Sequence, residues 1–244
     1  MEKENKFFSF RNEAETKDTV DIYVYSDVDE KSWWNENAIG AKDFQEQLAE
    51  YPDAKQINVY INSLGGSVME GTAIYTQLKR HNAKVTAYID GFACSIASGI
   101  AMAADEVVIG SSAALMIHNP WTWAAGNAQD FRKIADDLDK INEGIKSAYL
   151  EKCGDKIDEG TLTSLMDNES YITAKEAVEY GFADSIAESK ISAAEALDKA
   201  VASVDRSNPF MAKKIDIISA KLKEQPEEKK ISASAMEIFM SFFK

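Results

Sequence analysis

Two serines and one histidine frame the chemistry available in the stretch "DGFACSIASGIAMAADEVVIGSSAALMIHNPW", residues 90–121. Ser95 and Ser98 lie one helical turn apart in a run of small apolar residues, and His118 follows downstream. A serine hydroxyl is a weak nucleophile until a neighbouring base accepts its proton, and a neutral imidazole is suited to that task. Ser95 falls where a strand, "VTAYID", gives way to a helix. There its hydroxyl meets the positive end of the helix, and the N–H of Ile96 has no intrahelical acceptor. Ser98 falls inside the helix, where a hydroxyl bonds back to its own turn. His118 closes a short strand before the Asn119–Pro120 turn. The other histidine, His81 in "KRHNAK", sits at a basic helix C-terminus and is explained by the dipole and solvent. Spacing alone leaves two readings open: a Ser95–His118 pair, or an N-cap serine and a satisfied edge-of-core histidine.

A second turn bears on the same chemistry. "NSLGGS" places Gly65 and Gly66 between a buried strand and a helix, where positive φ and close approach to the backbone are accessible. N–H groups at such a turn attract developing negative charge; a tight turn without a ligand is the alternative. A serine–histidine pair also needs an acid to fix the imidazole tautomer. The candidates near a later turn are Asp167 and Glu169 in "MDNESYITAKEA", although carboxylates in such turns are usually just solvated.

The elements that must position these residues follow from periodicity. "VDIYVYS" alternates as a half-buried strand, and "NAIGAKDFQEQLAEYP" reads as a helix stopped near Pro52. "QINVYIN" is a buried strand, and "SVMEGTAIYTQLKRHN" a helix with Ser67 and Glu70 placed as a capping box. "AKVTAYID" is a strand that turns at Gly91, "CSIASGIAMAAD" a short helix, and "EVVIG" and "ALMIH" are strands. Residues 127–150 form a long amphipathic helix with Phe131, Ile134, Leu138, Ile141 and Ile145 on one face. "ITAKEAVEYGFADSI" is a helix opened by Thr173 and closed by Gly181, then a short strand. Such alternation predicts an α/β fold with a mainly parallel sheet and helical crossovers, sites gathering at the strands' carboxyl ends.

The whole chain of 244 residues has 45% hydrophobic residues and a formal net charge of −14. That charge excludes the basic footprint of a nucleic-acid binder and does not point to an anionic membrane surface. Cys94 and Cys153 have no metal-ligand spacing, and two cysteines fit a reducing compartment. The sequence implies no metal and no cofactor. The start lacks a signal-peptide core, and the apolar run Gly91–Ala104 is 14 residues, short of the ~20 of a membrane helix. From Arg206 onward eight basic and five acidic residues give a net +3, against −17 for the rest. The expected organisation is an N-terminal segment 1–19, a catalytic domain 20–202 and a partly helical tail 203–244.

These segments resemble the Clp protease proteolytic-subunit family, and in particular its phage and prophage branch. "INVYINSLGGSVMEGTAIYTQLKR" is similar to that family's strand, Gly-Gly turn and helix, and "VTAYIDGFACSIASGIAMAADE" to its nucleophile segment. "SSAALMIHNPWTWAAGNAQDFRK" is similar to its histidine segment and handle helix, and "ITAKEAVEYGFADSI" to its closing helix and strand. The resemblance covers residues 18–187 and implies the family's repeated ββα spiral, shared with crotonases, with a protruding handle helix. It implies Ser95 as nucleophile, His118 as base, and the Gly65 and Ile96 N–H groups as oxyanion donors. Glu169 takes the place of the family's aspartate as third member, with Asp167 as the alternative.

Leu64 stands where the family has a proline, and residues 1–19 do not resemble the loops that dock hexameric ATPases. The resemblance therefore implies an ATP-independent, cytoplasmic serine endopeptidase. It would form homo-oligomeric rings and act on polypeptides such as phage capsid or scaffold proteins. An ATPase-partnered peptidase, an acyl-CoA enzyme of the crotonase type and a non-catalytic ring-forming assembly protein are the competing expectations.

Overall fold

The computed structural model describes residues 8–11, 18–30 and 38–187; the proposed tail 203–244 and most of the N-terminal segment 1–19 lie outside them. Strand β2 (Thr19–Val24) has the anticipated alternation: Val20, Ile22 and Val24 are buried and the residues between them half-exposed. It lies parallel to β3 (Gln56–Ser63), and β3 parallel to β4 (Lys84–Cys94), with Val20 opposite Ile57 and Ile57 opposite Val85. Parallel neighbours need a crossover. Helix α1 (Ala41–Leu48) supplies it between β2 and β3, and α2 (Val68–Arg80) between β3 and β4. Strand β1 (Phe8–Arg11) adds antiparallel to β2 at the sheet's edge.

Beyond β4 the sheet forks. The first half of β4, Thr86–Ile89, pairs in parallel with β5 (Glu106–Ile109), and its last residues, Phe92–Cys94, pair in parallel with β6 (Ala114–Ile117). Helix α3 (Ile96–Ala101) links β4 to β5. A third pairing is antiparallel, between β6 and β7 (Ser170–Thr173), and β8 (Ser185–Ile186) closes on β5. The result is a mixed α/β fold on an eight-stranded, mostly parallel sheet.

Three details differ from the sequence reading. Strand β4 does not turn at Gly91 but runs on to Cys94, past an irregularity in its register with β3 near Asn62. The reason lies in the neighbouring strand: the Asn62 side chain accepts the Phe92 N–H (3.1 Å) and occupies the space a Cβ at Gly91 would need, 2.5 Å from it. Glycine here makes room within the strand, where the sequence reading had it reverse the chain. The capping box of α2 forms by half. Ser67 accepts the Glu70 N–H, but the Glu70 carboxylate caps a different helix, accepting the Ala41 N–H at the start of α1 (2.6 Å). Finally, α5 (Glu159–Asp167) and β7 were not anticipated, because nine residues and four residues are too short for a clear period.

The long helix α4 (Ala128–Cys153) opens on a complete capping box between Asn127 and Asp130. Only its last turns are seated. Tyr149 and Cys153 are buried, Tyr149 lies edge-on to Phe182 at 5.7 Å, and Lys152 binds the carbonyls of Ala104 and Asp105 and the Asp184 carboxylate. Toward its N-terminus Phe131 is 50% and Ile141 43% exposed, while Ile134, Leu138 and Ile145 are half-buried, so the described residues cover the apolar stripe read from sequence only in part. Helix α6 (Ala174–Tyr180) has the anticipated ends, a Thr173–Glu176 capping box and Gly181 in the left-handed region.

Candidate active site

Strand register places Ser95 and His118 side by side. Cys94 at the end of β4 lies opposite Met116 in parallel β6, so Ser95 and His118, one and two residues further on, emerge from the same sheet edge. Ser95 N–H donates to Met116 O (2.7 Å), and Ser95 itself takes φ 53°, ψ −132° before α3 begins at Ile96. A side chain at positive φ is strained by about 1–3 kcal/mol and persists only where the surroundings impose it. Here the strained turn aims the hydroxyl outward, and Ser95 Oγ lies 2.8 Å from His118 Nε2.

The other serine and the other histidine are engaged elsewhere. Ser98 is fully buried, donates to the Ser95 carbonyl (2.5 Å) and lies 2.7 Å from the Tyr149 hydroxyl. Burial pushes the Tyr149 hydroxyl up to about 12 despite the Ser98 bond, so it is neutral at physiological pH. His81 rests against the Tyr51 carbonyl (3.2 Å), and its Nδ1 accepts the Ala83 N–H (3.1 Å), tying the end of α2 to the next loop.

Gly65 packs directly on the nucleophile turn. At φ +94°, a Cβ built there would lie 2.6 Å from Cys94 O, 2.7 Å from Ser95 Cβ and 3.2 Å from Ile96 N. Only glycine lets the two strand ends approach this closely. Its N–H, however, donates to Ser63 Oγ (3.1 Å), while the next N–H, that of Gly66 (φ +145°), meets no acceptor among the described residues. Gly66 is a donor that the sequence reading did not single out; the doubled glycine was its signal.

The two candidate acids behave differently. Asp167 accepts a hydrogen bond from Asn119 Nδ2 (2.7 Å), and Asn119 Oδ1 in turn accepts from Asn142 Nδ2 of α4 (2.8 Å). Glu169 is exposed and stands at φ 48°; its N–H donates to the Met166 carbonyl (3.1 Å), and its carboxylate makes no hydrogen bond or ion pair among the described residues. Yet β6 and β7 pair with Ile117 opposite Ser170, so continuing the antiparallel register sets Glu169 opposite His118. Ser95 and His118 are thus brought within bonding distance, while the Glu169 carboxylate is not bonded to either. Among the described residues no cluster of side chains could hold a metal ion, and no helix is long and apolar enough to cross a membrane.

A groove of about 710 Å³ runs from the nucleophile turn between α2 and α4. Val68, Met69, Ile96, Ile141 and Ile145 make its walls apolar. A serine within hydrogen-bond distance of a histidine, on a mostly parallel α/β sheet, is the arrangement that serine hydrolases of acyl compounds use. The comparisons with known proteins narrow that class. The family model described as Clp protease matches residues 38–190, and the chain belongs to that family, whose members are peptidases. It is 32% identical over 148 residues to an "ATP-dependent Clp protease proteolytic subunit" from Pleurastrum terricola, across 59% of this chain and 73% of that protein.

Proposed function

We propose that the chain is a serine endopeptidase in which Ser95 attacks the scissile carbonyl and His118 shuttles the proton. The observation that carries this is the 2.8 Å contact between Ser95 Oγ and His118 Nε2, made from a backbone held at positive φ. His118 Nε2 accepts the hydroxyl proton as the Ser95 Oγ–carbonyl bond forms. The imidazolium then returns that proton to the leaving amine as the C–N bond breaks. Water, deprotonated by the same nitrogen, hydrolyses the acyl-serine. Glu169, opposite His118 in register, accepts from Nδ1–H and fixes the tautomer; Asp167 is already committed to Asn119.

The oxyanion is received by the Ile96 N–H together with the Gly65–Gly66 turn, where the Gly65 N–H must leave Ser63 or Gly66 must serve. One such donor contributes about 2.7–4 kcal/mol to transition-state stabilisation. The apolar groove beginning at Ile96 fits an uncharged, apolar residue on the acyl side of the cleaved bond.

The biological reading is an ATP-independent peptidase of phage or prophage origin, acting in the bacterial cytoplasm on capsid or scaffold proteins as a homo-oligomeric ring. It is supported by the phage-type wording of the motifs, the lack of resemblance in residues 1–19 to ATPase-docking loops, and the partly uncovered apolar stripe of α4. A second reading, a peptidase partnered with an unfoldase, is favoured by the name of the Pleurastrum relative. Fluorophosphonate labelling, with the modified residue located by mass spectrometry, tests the chemistry. Label on Ser95 that disappears in His118→Ala is expected, and an unlabelled Ser95 in folded protein refutes the mechanism. Protein degradation that requires an added unfoldase ATPase would decide for the second reading.

A further inference from the structure

Helix α4 contributes a polar side chain behind each member of the reacting pair. Tyr149 is 1% exposed, and its hydroxyl meets Ser98 Oγ at 2.7 Å. Ser98 Oγ donates its own proton to the Ser95 carbonyl at 2.5 Å, so by elimination the Tyr149 hydroxyl is the donor to Ser98. The Ser95 carbonyl also accepts the Ser98 N–H at 3.0 Å. The peptide group that sets the strained ψ of Ser95 is therefore pinned by two donors, one of them oriented by α4. Two turns earlier on the same helix face, Asn142 Nδ2 donates to Asn119 Oδ1 at 2.8 Å, and Asn119 Nδ2 donates to Asp167 at 2.7 Å. Asn119 directly follows His118, so this second chain fixes the backbone from which the imidazole projects.

The composition of these contacts argues that they serve position more than stability. Asn142 Oδ1 is buried without a partner among the described residues, so this side chain leaves one polar atom unsatisfied while its Nδ2 serves Asn119. Ser98 is fully buried, and its hydroxyl is held between the Ser95 carbonyl and the Tyr149 hydroxyl. Polar tethers from one helix, repeated at two points behind one reacting pair, converge on that pair.

The geometry points to Tyr149 and Asn142 as positioning residues that hold Ser95 Oγ and His118 Nε2 at reacting distance through Ser98 and Asn119. The inference rests on the serine-peptidase reading, and adds that α4 is part of the catalytic framework. Displacements of about 1 Å at a reacting pair can cost a factor of about 100 in rate, and the loss of one tether from a pair that keeps its other contacts costs less.

The test uses full-length Tyr149→Phe and Asn142→Leu, each nearly isosteric. Steady-state cleavage of an apolar peptide ester, thermal melting and crystal structures of both variants are measured. Each variant is expected to lose about tenfold in kcat with KM within about twofold. Asn142→Leu removes an unsatisfied buried oxygen but leaves Asn119 Oδ1 without its donor, so its melting temperature should stay near wild type while kcat falls, which separates position from stability. In the crystals the Ser95–His118 contact should lengthen toward or beyond hydrogen-bond reach, about 3.5 Å. Unchanged kcat in both variants, or a loss of activity that merely follows loss of folded protein, overturns the assignment. Should wild-type protein fail to react with fluorophosphonate, the peptidase reading falls on its own. The crystal distances then decide the tethers: an unchanged Ser95–His118 contact in both variants rejects them.

Discussion

Replacing the nucleophile with two different small residues measures the strain stored at it. Both Ser95→Ala and Ser95→Gly remove the hydroxyl and its 2.8 Å contact with His118, so both abolish catalysis and share that loss of contact. They differ in what the backbone at φ 53°, ψ −132° demands. For an L residue this conformation costs about 1–3 kcal/mol, and glycine largely escapes that cost. Glycine also has a more flexible unfolded chain, which opposes folding by about 0.5–1 kcal/mol relative to alanine. The difference leaves Ser95→Gly more stable than Ser95→Ala by roughly 1 kcal/mol. In a domain of this size that is about 2–4 °C in melting temperature. The assay is paired thermal and denaturant unfolding of the two inactive proteins, with m-values compared to confirm a common unfolding reaction. A glycine variant melting at or below the alanine variant would show that the Ser95 backbone is unstrained, and that the site is not built on an imposed turn.

Other outcomes follow from the same geometry. Gly65→Ala should reduce kcat by about 100-fold or more, because the new methyl falls against Ser95 Cβ and Ile96 N and obstructs one oxyanion donor; activity within threefold of wild type would exclude that packing. Glu169→Gln should lower kcat well below wild type while Asp167→Asn, whose amide oxygen still accepts from Asn119, stays within a few-fold; the reverse order in steady-state kinetics would make Asp167 the triad acid. At Asp184, burial raises the carboxyl but Lys152 and the Val107 N–H outweigh it, holding it below the usual carboxylate range. Its contribution to stability is therefore present above the unfolded value near 4 and is lost as pH falls through the folded one. Because the group is partly exposed, Asp184→Asn should cost no more than about 1 kcal/mol at pH 7, with the gap between the two melting temperatures shrinking as pH falls below about 4; a gap that does not shrink on acidification would place the effect outside this ion pair.

Much of the site was legible because its signals are local. The small residues around Ser95, the doubled glycine at Gly65–Gly66 and the strand ending at His118 each declare a turn by residue type, and parallel strands bring such turns to one edge. What failed were features whose cause lies elsewhere in the chain. Gly91 reads as a turn, but the Asn62 side chain, some thirty residues away in sequence, fills the space and keeps the strand going. Glu70 reads as the partner of Ser67 but finds the open N–H of Ala41. The β7 strand has only four residues and owes its state to pairing with β6.

The sequence by itself determined most of the strands and helices and their buried faces, and the resemblance to the Clp protease family, whose model matches the chain. Those are properties of residue type and period, which act within a few neighbours. Tertiary structure alone decided the 2.8 Å Ser95–His118 contact, the commitment of Asp167 to Asn119, the register that sets Glu169 opposite His118, and the backing of both reacting residues by α4. Each of these depends on which strand ends and helix faces meet, and no local pattern in a single chain encodes a distance between residues that only packing brings together.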